Sequence, residues 1–248
     1  MRRFVIAPDA IVGGRVTLDA QQSRHLARVL RLRPGDTIVA SDGAGRDYTV
    51  RLDAVDTRVT GTVIGEAPGG AESPLAVTLV QGVPKGDKMD AIVRAATELG
   101  VAAVRPALTA RTVVRLGASA AAARAARWQR VAREAAKQCR RAVVPVVAPP
   151  APLAECLEAA RETELALCLW EEDASPLATA LPATRVHRAA VLIGPEGGLE
   201  RAEVDAARRA GFKVVSLGRR LLRTETAGPA IIAVLQSRFG DLGTDDAG

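Results

Sequence analysis

From residue 77 onward, short apolar runs alternate with stretches of helical periodicity. That alternation constrains the fold more than any other feature of the chain. Residues 77–80, 101–104, 143–147, 165–170, 189–193 and 214–217 have the length and composition of buried strands. Between them, helical patterns cover 88–99 and 119–141, and a final helix runs to Arg238. Strands that return through helices pair in parallel, and a sheet covered on both faces shows continuous apolar runs. The pattern therefore predicts an α/β domain with a mostly parallel sheet. Within the long helix, Trp128, Val131, Ala132, Ala135 and Cys139 recur at helical spacing and predict a core-facing stripe.

The first 65 residues read differently. Runs at 15–18, 37–40 and 48–52 are rich in β-branched residues and separated by turn residues, so this part is mostly β. One predicted helix, 20–31, interrupts them. It places Leu26, Val29 and Leu30 on one side, and Arg24, Arg28 and Arg31 at i, i+4 and i+7 on another. Arg33 follows, and Pro34-Gly35-Asp36 ends the element. Residues 66–74 contain two prolines and two glycines, a linker composition that divides the chain into 1–70 and 75–248. The tail after Gly240 is expected to fray.

Lys and Arg total 34 against 28 acidic residues, a net charge of +6 that permits a polyanionic partner without requiring one. On the long helix, Arg124, Arg127, Arg130, Arg133, Lys137, Arg140 and Arg141 face only Glu134, which favours such a partner there. Cys139, Cys156 and Cys168 make no CxxC pair, and His25 and His187 are the only histidines. No metal site is expected, and unpaired cysteines suit a reducing cytoplasm. The N-terminal segment lacks a signal-peptide pattern, and no apolar stretch approaches the roughly 20 residues that span a bilayer. The expectation is a cytoplasmic protein without a membrane partner.

Two segments carry the chemistry. The apolar run 189–193 enters Gly194-Pro195-Glu196-Gly197-Gly198-Leu199, a tight loop followed by a helix opened by Glu200, Glu203 and Asp205 and closed at Gly211. Glycine lets a backbone approach a ligand closely. The run 214–217 ends at Gly218, and Arg219-Arg220-Leu221-Leu222-Arg223-Thr224-Glu225-Thr226-Ala227 leads into the last helix. Thr224 or Thr226 can cap that helix. In a parallel sheet the two loops are expected side by side, at the edge where open α/β sheets bind ligands. A dinucleotide site would need GxGxxG after the first strand, and a P-loop would need a GK[ST] ending; neither is present.

The segments IGPEGGL (193–199) and LGRRLLRTETA (217–227) resemble cofactor loops of the trefoil-knotted SPOUT methyltransferases, and more narrowly those of the 16S ribosomal RNA uridine-N3-methyltransferase family. RHLARVLRLRPGD (24–36), QGVPKGDKMDAIVRAATELG (81–100) and WQRVAREAAKQCRR (128–141) match the same family in the same order. The resemblance implies a small PUA-like β-barrel domain over 1–70 and a knotted SPOUT domain over 75–248. It implies S-adenosylmethionine as cofactor, 16S rRNA within the small ribosomal subunit as substrate, and a homodimer.

It further implies cofactor contacts at Leu169, Gly194, Pro195, Glu196, Gly197, Gly198, Leu217, Gly218, Leu222, Arg223, Thr226 and Ala227. Arg223 is the expected stabiliser of the developing uracil anion, with Glu225 as a weaker candidate base or as its orienting partner. Glu196 is read either as a ligand to a cofactor hydroxyl or as a loop brace. Arg24, Arg28, Arg31, Arg33, Lys85 and Lys88 are the expected RNA contacts. The sequence departs from the familiar pattern at Gly228-Pro229, so the last helix is expected to start late or kink there. Rival readings are a SPOUT enzyme acting on transfer RNA or a ribose 2′-hydroxyl, and a non-catalytic RNA-binding assembly protein.

Overall fold

A computed structural model describes residues 3–70, 72–112 and 117–243. The chain forms two compact units, Met1–Glu72 with Ala136–Val144 and Ser73–Ala135 with Pro145–Ala247. Of the expected frayed tail, residues 244–248 lie outside the described residues.

The first unit holds strands β1 (Arg3–Val5), β2 (Ile11–Val12), β3 (Arg15–Thr17), β4 (Thr37–Ser41), β5 (Arg46–Ala54) and β6 (Thr60–Pro68), with helix α1 (Ala20–Arg24) between β3 and β4. The sheet order is β1-β4-β5-β6-β3-β2, with β1 parallel to β4 and every other pairing antiparallel. Among the described residues its two edge strands do not pair, so the sheet is a half-barrel. Alternate residues such as Ile38, Ala40, Val50 and Leu52 turn inward onto Phe4, Val16 and Leu26, the period-2 burial of a one-sided sheet.

The helix predicted over 20–31 is corrected. Asp19 caps it by accepting the Gln22 N–H at 2.7 Å, but regular α-helix stops at Arg24. Residues 25–29 form a π-helical turn, and Arg31 has φ 51°. The wider turn rotates later side chains off α-helical spacing. Val29 is therefore 65% exposed while Leu26 is buried. Arg24, Arg28 and Arg31 share no α-helical face, although they and Arg33 are all exposed.

The strand predicted over 143–147 is also corrected: only Val146–Val147 is a strand, with an isolated bridge from Val143 to Ala44. Glu72 supplies the reason. Its carboxylate accepts the N–H groups of Ala142 and Val143 at 2.8 and 2.9 Å, taking donors a strand would have used.

The second unit contains β7 (Ala76–Gly82), α2 (Lys88–Glu98), β8 (Val101–Leu108), α3 (Ala118–Gln138), β9 (Val146–Val147), β10 (Ala151–Pro152), α4 (Leu153–Glu158), β11 (Leu165–Leu169), β12 (Ser175–Pro176), α5 (Leu177–Ala180), β13 (Arg188–Ile193), α6 (Arg201–Arg209), β14 (Lys213–Ser216) and α7 (Thr224–Phe239). All its strand pairings are parallel, in the order β10-β8-β7-β13-β11-β14-β12, with β9 also on β8. The central strands are buried on both faces, as Leu79, Val80, Leu167, Cys168, Val191 and Leu192 show. That explains their unbroken apolar runs. On α3, Trp128, Ala132 and Ala135 are buried as the stripe predicts, while Val131 and Cys139 are only half-buried.

Helix α7 follows β14 yet packs on α2, β13 and β7, so the chain returns across β11 and β13. It starts at Thr224, not late as one expectation had it, and its helical assignment runs on through Pro229. Pro229 removes one N–H, the partner of the Glu225 carbonyl one turn earlier. The buried stripe Ala227, Ile231, Ile232, Leu235 and Phe239 holds the helix across that gap.

Candidate active site

The two glycine loops are not neighbours, because β11 lies between β13 and β14. Three loops, following β13, β11 and β14, therefore enclose a cleft of about 690 Å³, within the size range of small-ligand sites.

The first loop follows β13. Gly198 has φ +73° and donates its N–H to the Pro195 carbonyl at 2.9 Å, closing a tight turn. A Cβ on Gly194 would lie 2.9 Å from the Gly198 carbonyl carbon, so only glycine fits the turn. Helix α6 then starts with a reciprocal capping box between Glu200 and Glu203. Arg111 donates to the Gly197 carbonyl at 2.6 Å, bracing the loop from outside.

The second loop brings Leu169, Trp170 and Glu171 to the cleft, and the third brings the segment from Leu217 through Glu225. Gly218 has φ +131°, a conformation open to glycine. Arg223 is the extended N-cap of α7, and its carbonyl accepts the N–H groups of Thr226 and Ala227 at 2.8 and 2.9 Å. No side chain caps α7, which corrects the expectation for Thr224 and Thr226. Thr224 instead occupies the first helical position and donates its hydroxyl to the Gly194 carbonyl at 2.6 Å.

Lys88 lines the cleft, with Nζ 3.0 Å from Glu196 and 3.6 Å from Glu225. Glu196 also accepts the Lys85 backbone N–H at 3.2 and 3.3 Å. Of its two readings, these partners favour the brace. Hydrogen bonding to Glu196 raises the Lys88 ammonium above its ordinary value. Desolvation opposes the Glu196 anion. Hydrogen bonds from its own backbone N–H, Lys88 and Lys85 outweigh that and hold the carboxyl below its ordinary value.

Most predicted cofactor residues converge on the cleft: Leu169, Gly194, Pro195, Glu196, Gly197, Gly198, Leu217, Gly218, Leu222, Arg223 and Ala227, together with Glu225. Thr226 is exposed and does not line it. Lys85 is exposed beside it, and Arg24, Arg28, Arg31 and Arg33 belong to the first unit. Sequence reasoning missed Trp170, Glu171 and the cleft position of Arg219 and Arg220. Trp170-Glu171 was findable: it directly follows an apolar run, as both glycine loops do.

Burial pushes the Cys156 thiol up to about 11 and the Cys168 thiol up to about 12, so both are neutral near pH 7. Among the described residues, no group of three or more His, Cys, Asp or Glu is placed to hold a metal ion, and no helix is long and apolar enough to cross a membrane.

A parallel sheet with a ligand cleft built from loops at its strand ends, on a chain that also carries a half-barrel unit, matches known proteins closely. A family model described as an RNA methyltransferase domain matches residues 71–236, and one described as an RNA methyltransferase PUA domain matches residues 18–59. The ribosomal RNA small subunit methyltransferase E of Synechocystis sp. is 36% identical over 95% of this chain and 77% of its own length. That of Bacillus subtilis is 31% identical over 85% of each chain. The crystal structure of the Neisseria gonorrhoeae ribosomal RNA small subunit methyltransferase E bound to S-adenosyl methionine superposes with a TM-score of 0.85. It is 37% identical, covering 97% of this chain and 99% of the other. A Legionella pneumophila methyltransferase in complex with the same cofactor gives 0.86 at 29% identity, covering 97% and 98%. Fold and cleft thus define an RNA methyltransferase of the SPOUT-like class. Within that class, the chain belongs to the ribosomal RNA small subunit methyltransferase E family.

Proposed function

We propose that this protein transfers a methyl group from S-adenosylmethionine to N3 of a uridine in 16S rRNA. The observation that carries the proposal is the cleft. Three loops line it, one of them tightened at Gly194, where a Cβ would meet the Gly198 backbone at 2.9 Å, and an exposed Arg223 stands on its wall. Its volume and its mixed apolar and charged lining fit a nucleoside bearing an amino-acid tail. Leu169, the Gly194–Gly198 backbone, Leu217, Gly218 and Leu222 would hold that cofactor. When bound, it supplies a methyl group on a sulfonium that is already a good leaving group.

The remaining demands fall on the chain. Uracil N3 carries a proton and attacks poorly until that proton leaves. Arg223 offers a fixed cationic fork to the oxygens flanking N3 and stabilises their developing charge, as an oxyanion hole does. Glu225, in the same turn and within ion-pair reach of Lys88, orients that fork or takes the proton. The first unit grips RNA through Arg24, Arg28, Arg31 and Arg33. Their phosphate contacts position the target without reading its sequence. Lys88 faces Glu196 and Glu225, which favours a place in the cleft over a phosphate contact. The remaining exposed side chains of α7, including Val234, suit a homodimer contact, and the substrate is 16S rRNA within the small ribosomal subunit of the cytoplasm.

The test is methyl transfer from labelled S-adenosylmethionine to small ribosomal subunits lacking native modifications, with mapping of the product nucleoside. Label recovered as 3-methyluridine at one site is the expected result. Label in a ribose, or in transfer RNA alone, would overturn the assignment.

A further inference from the structure

Gln81 is the penultimate residue of β7, outside the cleft lining, and is fully buried. A carboxamide buried there is costly unless it is hydrogen-bonded. Only its amino side is satisfied: Nε2 donates to the Thr224 hydroxyl at 2.9 Å and to the Gly82 carbonyl at 3.1 Å, while the buried Oε1 has no partner among the described residues. The Thr224 hydroxyl donates in turn to the Gly194 carbonyl at 2.6 Å. A hydroxyl has one proton, and here it is committed to Gly194, so the oxygen must accept from Gln81. The direction of the whole chain is thereby fixed.

This chain joins three elements: the end of β7, the first residue of the glycine loop and the first residue of α7. Arg223 and Glu225 flank Thr224 on either side. Lys88, at the start of α2, also reaches the glycine loop and α7, but partly exposed ion pairs contribute little. An unpaired polar group in a buried site costs far more, so the register of the two loops rests on the neutral chain.

We propose that Gln81 is a positioning residue for methyl transfer. Acting through Thr224, it sets the glycine loop in register with the turn that carries Arg223. The proposal rests on the methyltransferase reading above, and its test can fail separately from that reading.

The test compares full-length Q81M, T224V, T224S and the double variant Q81M/T224V. Cofactor affinity is read by titration calorimetry with S-adenosylmethionine, turnover by kcat and KM for rRNA, and folding by circular dichroism. T224V keeps the shape of threonine without its hydroxyl, and T224S keeps the hydroxyl. T224V and Q81M should each lose about tenfold in cofactor affinity and about tenfold or more in kcat, as expected for a displaced site. The KM for rRNA should stay within about twofold, T224S should recover most of the loss, and the double variant should be no worse than either single one, because both break the same chain. Should T224V not fold, Q81M carries the comparison. The proposal falls if T224S is as impaired as T224V, if the two losses add in the double variant, or if folded Q81M binds and turns over as wild type. If the wild-type protein binds cofactor but methylates no rRNA uridine, the functional reading falls while the calorimetry still judges the role of Gln81.

Discussion

Gly82→Ala should disturb the glycine loop without replacing any residue that lines the cleft. Gly82 is buried at the end of β7, in register with Ala107 of β8. A Cβ at this position would lie 2.6 Å from Pro195 Cδ and 2.7 Å from Pro195 N. Ordinary contact begins near 3.4 Å, so the added methyl must push the loop by about 0.8 Å. Both opposing atoms belong to a proline ring and its backbone, so no rotamer change relieves the clash. Overpacking of this kind costs about 1–3 kcal/mol. Removing a glycine from the unfolded chain returns about 0.4–1 kcal/mol. The net loss of about 1–2 kcal/mol should lower the melting temperature of the C-terminal unit by roughly 2–8 °C.

Because the displaced residue opens the cofactor loop, affinity for S-adenosylmethionine should fall about tenfold or more in a calorimetric titration. Gly65→Ala is the matched control. Its Cβ would meet Thr49 at 3.7 Å with nothing closer, so stability and cofactor binding should both hold. A folded Gly82→Ala protein with wild-type melting temperature and affinity would refute the packing argument. An equal loss in Gly65→Ala would show a general response of strand glycines.

Arg223→Ala should cut kcat by about 10²–10³ while cofactor still binds, as loss of an oxyanion donor does, and Arg223→Lys should recover only part because it lacks the planar fork; wild-type turnover in a cofactor-bound Arg223→Ala protein ends that role. Replacing Arg24, Arg28 and Arg33 together should flatten the salt dependence of RNA binding by about 0.7–0.9 in logarithmic slope for each phosphate no longer neutralised, with cofactor affinity unchanged; a constant slope would remove them from the RNA interface.

The Lys88–Glu196 link should be silent between pH 6 and 9. The carboxyl lies below its ordinary 4.5, so what it contributes is present above that value and fades only as pH falls through its lowered one. The ammonium lies above its ordinary 10.5, so what it contributes is present below that value and fades only above its raised one. An ionisation near pH 7 in kcat/KM that disappears in Lys88→Met would contradict this.

Local chemistry was legible in the sequence, and spatial order was not. The strand-and-helix alternation predicted the parallel sheet, because backbone geometry imposes it locally; the glycines marked two of the loops, and the individual lining residues followed from the family resemblance. Strand order depends on crossovers that leave no local mark, so the position of β11 between the two glycine loops was invisible. Trp170 and Glu171 were missed with it. The π-helical turn at 25–29 defeated a spacing argument that assumes one fixed period, and exposed Val29 records the failure. Pro229 misled in the opposite sense: local propensity favoured a late helix start, yet α7 begins at Thr224 and its buried stripe runs past the proline.

The cleft combines two kinds of interaction that do different work. Its charged residues, Lys88, Glu196, Glu225 and Arg223, are at least partly exposed. In that setting charges set potential and protonation, and each adds little rigidity. Rigidity comes from behind the cleft. There Gly82 admits Pro195 at a distance no side chain would allow, and Gln81 and Thr224 bind the Gly194 carbonyl within the core. Buried neutral hydrogen bonds barely respond to salt or pH, so they can hold loop register while a polyanion and a charged cofactor come and go. Changes to the front charges should therefore alter turnover and its salt dependence at nearly constant stability. Changes to Gln81, Gly82 or Thr224 should alter cofactor affinity and turnover together, because the geometry on which both depend is set there.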